Sequence, residues 1–197
     1  LDRGFSGFRR QALIAGISKS EQREIDRILE EVSTVFDLKN KFPERKNILQ
    51  PRPAADGGVS IAFLPAGELN AEDRASFVSD PENTAMLLAI AESINQNQRL
   101  RDVNSLRANN RHLPIVASKG GVTTVDIVPT DKGEALNAAR IELDMRPTEY
   151  FVFLGDNIFP GGNYYSALKA AEIVLQLGPR NDTDLSIPKG HIKIFSK

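Results

Sequence analysis

Between residues 18 and 36 the apolar positions are Ile25, Ile28, Leu29, Val32 and Phe36. Steps of three and four put them on one stripe of a helix. Ser18 or Ser20 stands where an N-cap is needed, and acidic residues crowd the early turns. In "NILQPRPAADGGVSIAFLP" (47–65) two short runs flank a turn rich in Pro, Asp and Gly, which predicts a pair of strands. Asn70 and an acidic first turn open a helix over 70–79. Asp80 as cap and Pro81 at the first helical position open another over 80–95. Met86, Leu87, Ile90 and Ile94 form the apolar face of that second helix. "HLPIVA" and "GVTTVDIVP" are short β-branched runs divided by Lys119-Gly120-Gly121, a hairpin signal. The order helix, strands, helices, strands over 18–129 predicts an α+β layer with antiparallel pairing.

The rhythm changes after Pro129. A helix is predicted over 131–144, then a buried strand in "EYFVFLGD", then a helix in "YYSALKAAEI" with Leu168 and Ala171 turned inward. "IVLQLG" reads as a strand and "HIKIF" as a last one. This alternation belongs to a parallel sheet, and residues 150–154 and 173–177 are expected as parallel neighbours. Two or three strands are few for a parallel sheet covered on both faces. The part from 130 to 197 is therefore expected to be an incomplete α/β core whose edge is open or covered by another chain. The resulting fold class is α/β, in three parts: an N-terminal arm (1–17), an α+β domain (18–129) and a partial parallel core (130–197). The arm carries Arg3, Arg9 and Arg10 among Phe5 and Phe8, a pattern for docking or for a loose terminus.

Composition narrows the chemistry. Among 197 residues the net charge is −1, so no global field argues for a nucleic acid or a membrane surface as partner. There is no cysteine, which excludes disulfides and thiolate metal sites. No apolar run reaches the length of a membrane span, and the expected location is cytoplasmic. "NQNQRLRDVNSLRANNRH" (95–112) holds four arginines without interleaved aromatics, so a solvated loop or helix face is favoured over an RNA contact. His112 and His191 have no partner at metal-ligand spacing.

Two residues stand out as candidates for chemistry. Asp156 follows "FVFLG", at the carboxyl end of a predicted parallel strand, where open α/β sheets bind their ligands. A carboxylate there suits a hard cation such as Mg²⁺, or it caps the following turn. Lys132 opens a predicted helix, where a cation opposes the macrodipole. Either it is simply solvated, or it meets an anion such as a phosphate together with the free N–H groups of that helix end.

"VDIVPTDKGEAL" followed by "FVFLGDNIFPGGNYYSA" resembles the second half of the haloacid-dehalogenase-type phosphohydrolases, in particular the phosphomannomutase and sugar-phosphatase branch. In that family one motif is a lysine opening a helix and the next is Gly-Asp-x-x-x-x-Gly-Gly-Asn-Asp. "GGVSIAFLPAGELNAEDRASFVSDPEN" and "GGVTTVDIVP" are similar to stretches of its cap domain. The resemblance implies a partial core of that type with an α+β cap. It also implies that Asp156 holds Mg²⁺ and that Lys132 pairs with the transferring phosphoryl group. Thr124 and Asp126 would face the sugar, Arg52 would lie near a phosphate-gripping position, and Gly161, Gly162 and Asn163 would shape the metal loop. Charge neutralisation by metal and lysine is what phosphoryl transfer needs.

The chain departs from that pattern in two places. The family's nucleophilic Asp-x-Asp strand has no counterpart in it, and Tyr164 stands where the family has a second aspartate, so a neutral phenol replaces a carboxylate. Three functions follow from these residues. One is a Mg²⁺-dependent sugar-phosphate phosphatase or phosphohexomutase relative whose nucleophile segment lies outside this sequence. Another is an inactive relative serving as a binding or scaffold subunit. The third is a subunit that completes a site with a second chain. Among the enzymatic options a phosphatase is favoured over a mutase, because Glu68 stands where a second cap arginine is expected.

Overall fold

The structure, a computed structural model, describes residues 15–53, 58–130, 132–155, 166–176 and 192–193. Ala15–Pro129 form one unit, and the residues from Thr130 onward belong to a second. The molecule is mixed α/β, with one antiparallel and one small parallel sheet.

In the first unit, α1 (Lys19–Val35) starts where Ser18 accepts a hydrogen bond from Glu21 N and the Glu21 carboxylate accepts one from Ser18 N, a reciprocal capping box. A single turn, α2 (Leu38–Lys41), leads into β1 (Ile48–Pro53) and β2 (Val59–Leu64). Asn70 caps α3 (Ala71–Ser79), and Asp80 caps α4 (Pro81–Gln96), with Pro81 in its first turn. Asn97 caps α5 (Gln98–Asn109), so the segment carrying the arginines is helical. A hairpin of β3 (Val116–Lys119) and β4 (Val125–Val128) completes the sheet in the order β1-β2-β4-β3, antiparallel throughout.

The two-residue alternation of the strands sorts this sheet into two faces. Val59, Ile61, Phe63, Ala117, Val125 and Ile127 join one apolar core with Ile25, Ile28, Leu87, Ile90, Ile94 and Leu100 from the helices. The opposite face carries Gln50, Arg52, Ser60, Ala62, Ser118 and Asp126, as the pairs Gln50↔Ala62, Arg52↔Ser60, Ala62↔Asp126 and Ser118↔Asp126 require.

Strand β3 ends the sheet, and its outward backbone groups are met by two side-chain amides. Asn95 accepts from Ala117 N and donates to Ala117 O, both at 2.8 Å. Asn104 accepts from Ile115 N at 2.7 Å and donates to Ile115 O at 2.9 Å. Each amide presents the donor and acceptor that a neighbouring strand would present, so α4 and α5 close an edge that would otherwise leave polar groups orphaned. Arg107 of α5 is 2% exposed. It donates to Leu113 O at 2.7 Å, Ala15 O at 2.6 Å and Glu21 Oε1 at 3.0 Å. The chain entering this unit is thereby tied to α1 and to the segment before β3. Ile17 and Val59 extend the tie with a pair of backbone hydrogen bonds.

In the second unit, α6 (Lys132–Glu142) precedes β5 (Val152–Gly155), α7 (Ala167–Ala170) and β6 (Ile173–Gln176), with β7 (Ile192–Lys193) last. The sheet order is β5-β6-β7 and both pairings are parallel, with Val152 opposite Ile173. Leu168, Ala171 and Val174 are buried together, with Leu136, Phe151 and Phe153 packed on them. Two details differ from the expectation. The helix in "YYSALKAAEI" is a single turn among the described residues, because Ala171 has already turned extended (ψ 144°) to enter β6. The strand expected to be buried is buried on one side only: Val152 is 53% and Leu154 54% exposed, whereas Phe153 packs inward.

Candidate functional site

The residues singled out from the sequence fall into two groups, one in each unit. In the first unit, antiparallel pairing brings Arg52 of β1 and Asp126 of β4 onto the same face although 74 positions separate them in the chain. Arg52 Nη1 stands 3.6 Å from Asp126 Oδ1, an ion-pair distance longer than a direct hydrogen bond. Asp126 is half-buried and Arg52 exposed. Gly120 lies against the Asp126 carboxylate: a Cβ at position 120 would fall 2.3 Å from Asp126 Cγ, so only glycine lets the hairpin close over that group. Thr124 sits in the turn of the same hairpin. Its hydroxyl accepts from Gly121 N at 2.8 Å, and its carbonyl accepts from Gly120 N at 3.0 Å. The Thr124 side chain thus holds the turn that positions Asp126.

Lys119, which the sequence reading used only as part of a turn signal, is 7% exposed. Burial pushes its ammonium below the ordinary lysine range, and its Nζ reaches Gly121 O at 3.4 Å. The signal in the sequence was the alternation itself: Lys119 is in phase with Ala117, on the helix-covered side.

In the second unit Lys132 is the first residue of α6 and is exposed. The next residue, Gly133, donates its N–H to Ser166 Oγ at 3.0 Å, and a Cβ there would meet Ser166 O at 2.6 Å. The close approach of α6 to the start of α7 therefore fixes the helix end that carries Lys132. At the start of β5, Glu172 accepts from Phe151 N at 2.9 Å and pairs with Arg140 of α6. The Arg140 guanidinium also lies over the Phe151 ring, 5.2 Å from its centre. The hydrogen bond from Phe151 N, with Arg140 alongside, holds the Glu172 carboxyl below its ordinary range. This clamp anchors the amino end of β5, and β5 ends at Gly155. Asp156, Gly161, Gly162, Asn163 and Tyr164 lie outside the described residues.

Among the described residues there is no group of three or more His, Cys, Asp or Glu placed to hold a metal ion. No helix among them is long and apolar enough to cross a membrane. A groove of about 790 Å³ runs between the start of α1 and the end of α5, lined by Ser18, Lys19, Glu21, Leu106, Arg107 and His112 among others. Arg52, Thr124, Asp126 and Lys132 do not line it. No protein-family model matches the chain, and no curated protein matches it either.

Proposed function

We propose that this chain is part of a Mg²⁺-dependent phosphoryl-transfer protein of the haloacid-dehalogenase type, acting on sugar phosphates. The observation that carries this reading is the order of parts in the second unit. A helix opened by Lys132 precedes a parallel strand whose last described residue, Gly155, stands directly before Asp156 in the sequence. Strand carboxyl ends are where α/β sheets gather ligands. Lysine and carboxylate are complementary parts of a phosphate and cation site. Among the described residues the helices pack on the Phe63 side of the antiparallel sheet, with Arg52 and Asp126 on the other side, an arrangement in keeping with a cap. Mg²⁺ takes oxygen ligands and keeps several waters, so one strand-end carboxylate is enough to recruit it alongside a substrate phosphate. Bound there, it would neutralise charge on the phosphoryl group, while Lys132 would pair with the same group.

The test is ligand linkage. Millimolar Mg²⁺ should raise the melting temperature of the chain, and Asp156→Ala should abolish the shift. A wild-type melting curve indifferent to Mg²⁺ would remove the metal site from the proposal. A second reading, a binding subunit without turnover, is favoured by Tyr164, which stands where the resembled family has an aspartate. Tyr164→Asp separates the two. In an enzyme, assayed together with its nucleophile segment, the added carboxylate strengthens Mg²⁺-dependent hydrolysis of hexose phosphates. In a scaffold it yields no turnover.

A further inference from the structure

Ser166 stands at the N-cap of α7, where a serine ordinarily accepts from an N–H of its own first turn, yet its side chain makes no such bond. Its backbone is already helical (φ −65°, ψ −32°), not the extended conformation from which a cap side chain reaches that turn. The hydroxyl is used elsewhere: Ser166 Oγ accepts from Gly133 N, 33 positions back in the chain, at 3.0 Å. Gly133 is the second residue of α6, and its N–H is among those at a helix start that have no partner within the helix. The backbones are close at the same point. A Cβ at position 133 would fall 2.6 Å from Ser166 O and 3.0 Å from Ser166 Cβ. The starts of α6 and α7 therefore meet through a glycine on one side and a serine hydroxyl on the other.

Lys132 directly precedes Gly133 and shares a peptide plane with it. Fixing the direction of the Gly133 N–H fixes the plane that also holds the Lys132 Cα and carbonyl, and with it the root of the lysine side chain. We infer that Ser166 is a positioning residue for phosphate: through Gly133 it holds the start of α6 so that Lys132 presents its ammonium to the phosphoryl group. The inference rests on the phosphoryl-transfer reading above. An ammonium on a flexible four-carbon stem loses conformational freedom when it grips an anion, and a fixed root lowers that cost. The Ser166 hydroxyl thus acts on anion affinity as well as on the packing of α6 against α7.

The experiment is titration of the full chain with inorganic phosphate in millimolar Mg²⁺, for the wild type, Ser166→Ala and Ser166→Thr. The Cε resonance of Lys132 reports phosphate, and a melting curve of each protein reports stability. Titrations are run well below every midpoint, so that unfolding does not enter the affinities. The wild type should show a saturable shift at Lys132. Ser166→Ala removes the acceptor of one hydrogen bond and should weaken phosphate several-fold. Ser166→Thr keeps a hydroxyl and should recover most of the affinity. A lower midpoint in Ser166→Ala with unchanged phosphate affinity would give Ser166 a structural role alone; it would overturn the inference and leave the phosphate reading standing. An affinity lost in Ser166→Ala and not recovered in a folded Ser166→Thr would overturn it as well, because the hydroxyl would then not be the operative group. If phosphate leaves Lys132 unmoved in the wild type, the reading and the inference fall together.

Discussion

Asn95→Ala tests the edge of the antiparallel sheet. Asn95 is the sole side chain described as bonding both Ala117 N and Ala117 O, each at 2.8 Å. Ala117 is 5% exposed, so truncation leaves one donor and one acceptor with little access to water. Each orphaned buried group costs about 1–3 kcal/mol. The expected loss is about 2–4 kcal/mol, near the lower end if a water molecule enters the space left by the amide. Asn95→Asp keeps an acceptor for Ala117 N but turns an anion toward Ala117 O, so restoring the shape should not restore the stability. The measurements are urea unfolding followed by circular dichroism and amide exchange at Ala117. Exchange of Ala117 N–H should accelerate by the factor that matches the stability loss. Ile115 N–H, held by Asn104, should respond only to the extent that the whole unit is destabilised. A loss under about 0.5 kcal/mol together with unchanged protection at Ala117 would refute the reasoning, since ordinary surface substitutions stay within that range.

Three further outcomes follow. Burial alone would raise the Glu21 carboxyl, but the hydrogen bonds from Ser18 and Arg107 outweigh it and hold the group below its ordinary range. Its stabilisation is therefore complete above the unfolded-state pKa and fades as pH falls through the lower folded-state one; Glu21→Gln, which keeps the capping geometry, should show lower stability at neutral pH and a shallower loss between about pH 5 and 3 in acid melts. Arg107→Ala should cost about 3–5 kcal/mol, because it strips a fully buried guanidinium from two carbonyls and a carboxylate, and an unchanged thermal midpoint would contradict that role. Gly133→Ala should destabilise the second unit by about 1–3 kcal/mol, since the added methyl meets backbone at Ser166, and exchange at residues of α6 should report it.

Local chemistry was legible in the sequence because it acts over three or four residues. Ser18, Asn70 and Asp80 are caps whose partners lie within that span. The apolar steps from Ile25 to Val32 and from Met86 to Ile94 follow the helical period, so the buried faces could be read directly. The parallel pairing of 152–155 with 173–176 followed from the alternation of strand and helix. The Lys119-Gly120-Gly121 signal marked a hairpin, although the hydrogen bonds that close it are accepted by Thr124, from the N–H groups of Gly120 and Gly121.

Only the tertiary structure decided what faces what. Asn95, Asn104 and Arg107 sit in a polar stretch that reads as a solvated face, because their partners lie 6 to 92 residues away and no local period encodes them. Val152 and Leu154 spell a buried strand by composition, yet burial depends on what packs on each face, and the described residues cover only the Phe153 side. Arg52 and Asp126 became neighbours through the strand order β1-β2-β4-β3, which places β1 two positions from β4, the second strand of the later hairpin. Residue types and periods are written along the chain and need no fold to express them. Proximity across a sheet is set by register and strand order, which exist only after the chain has folded.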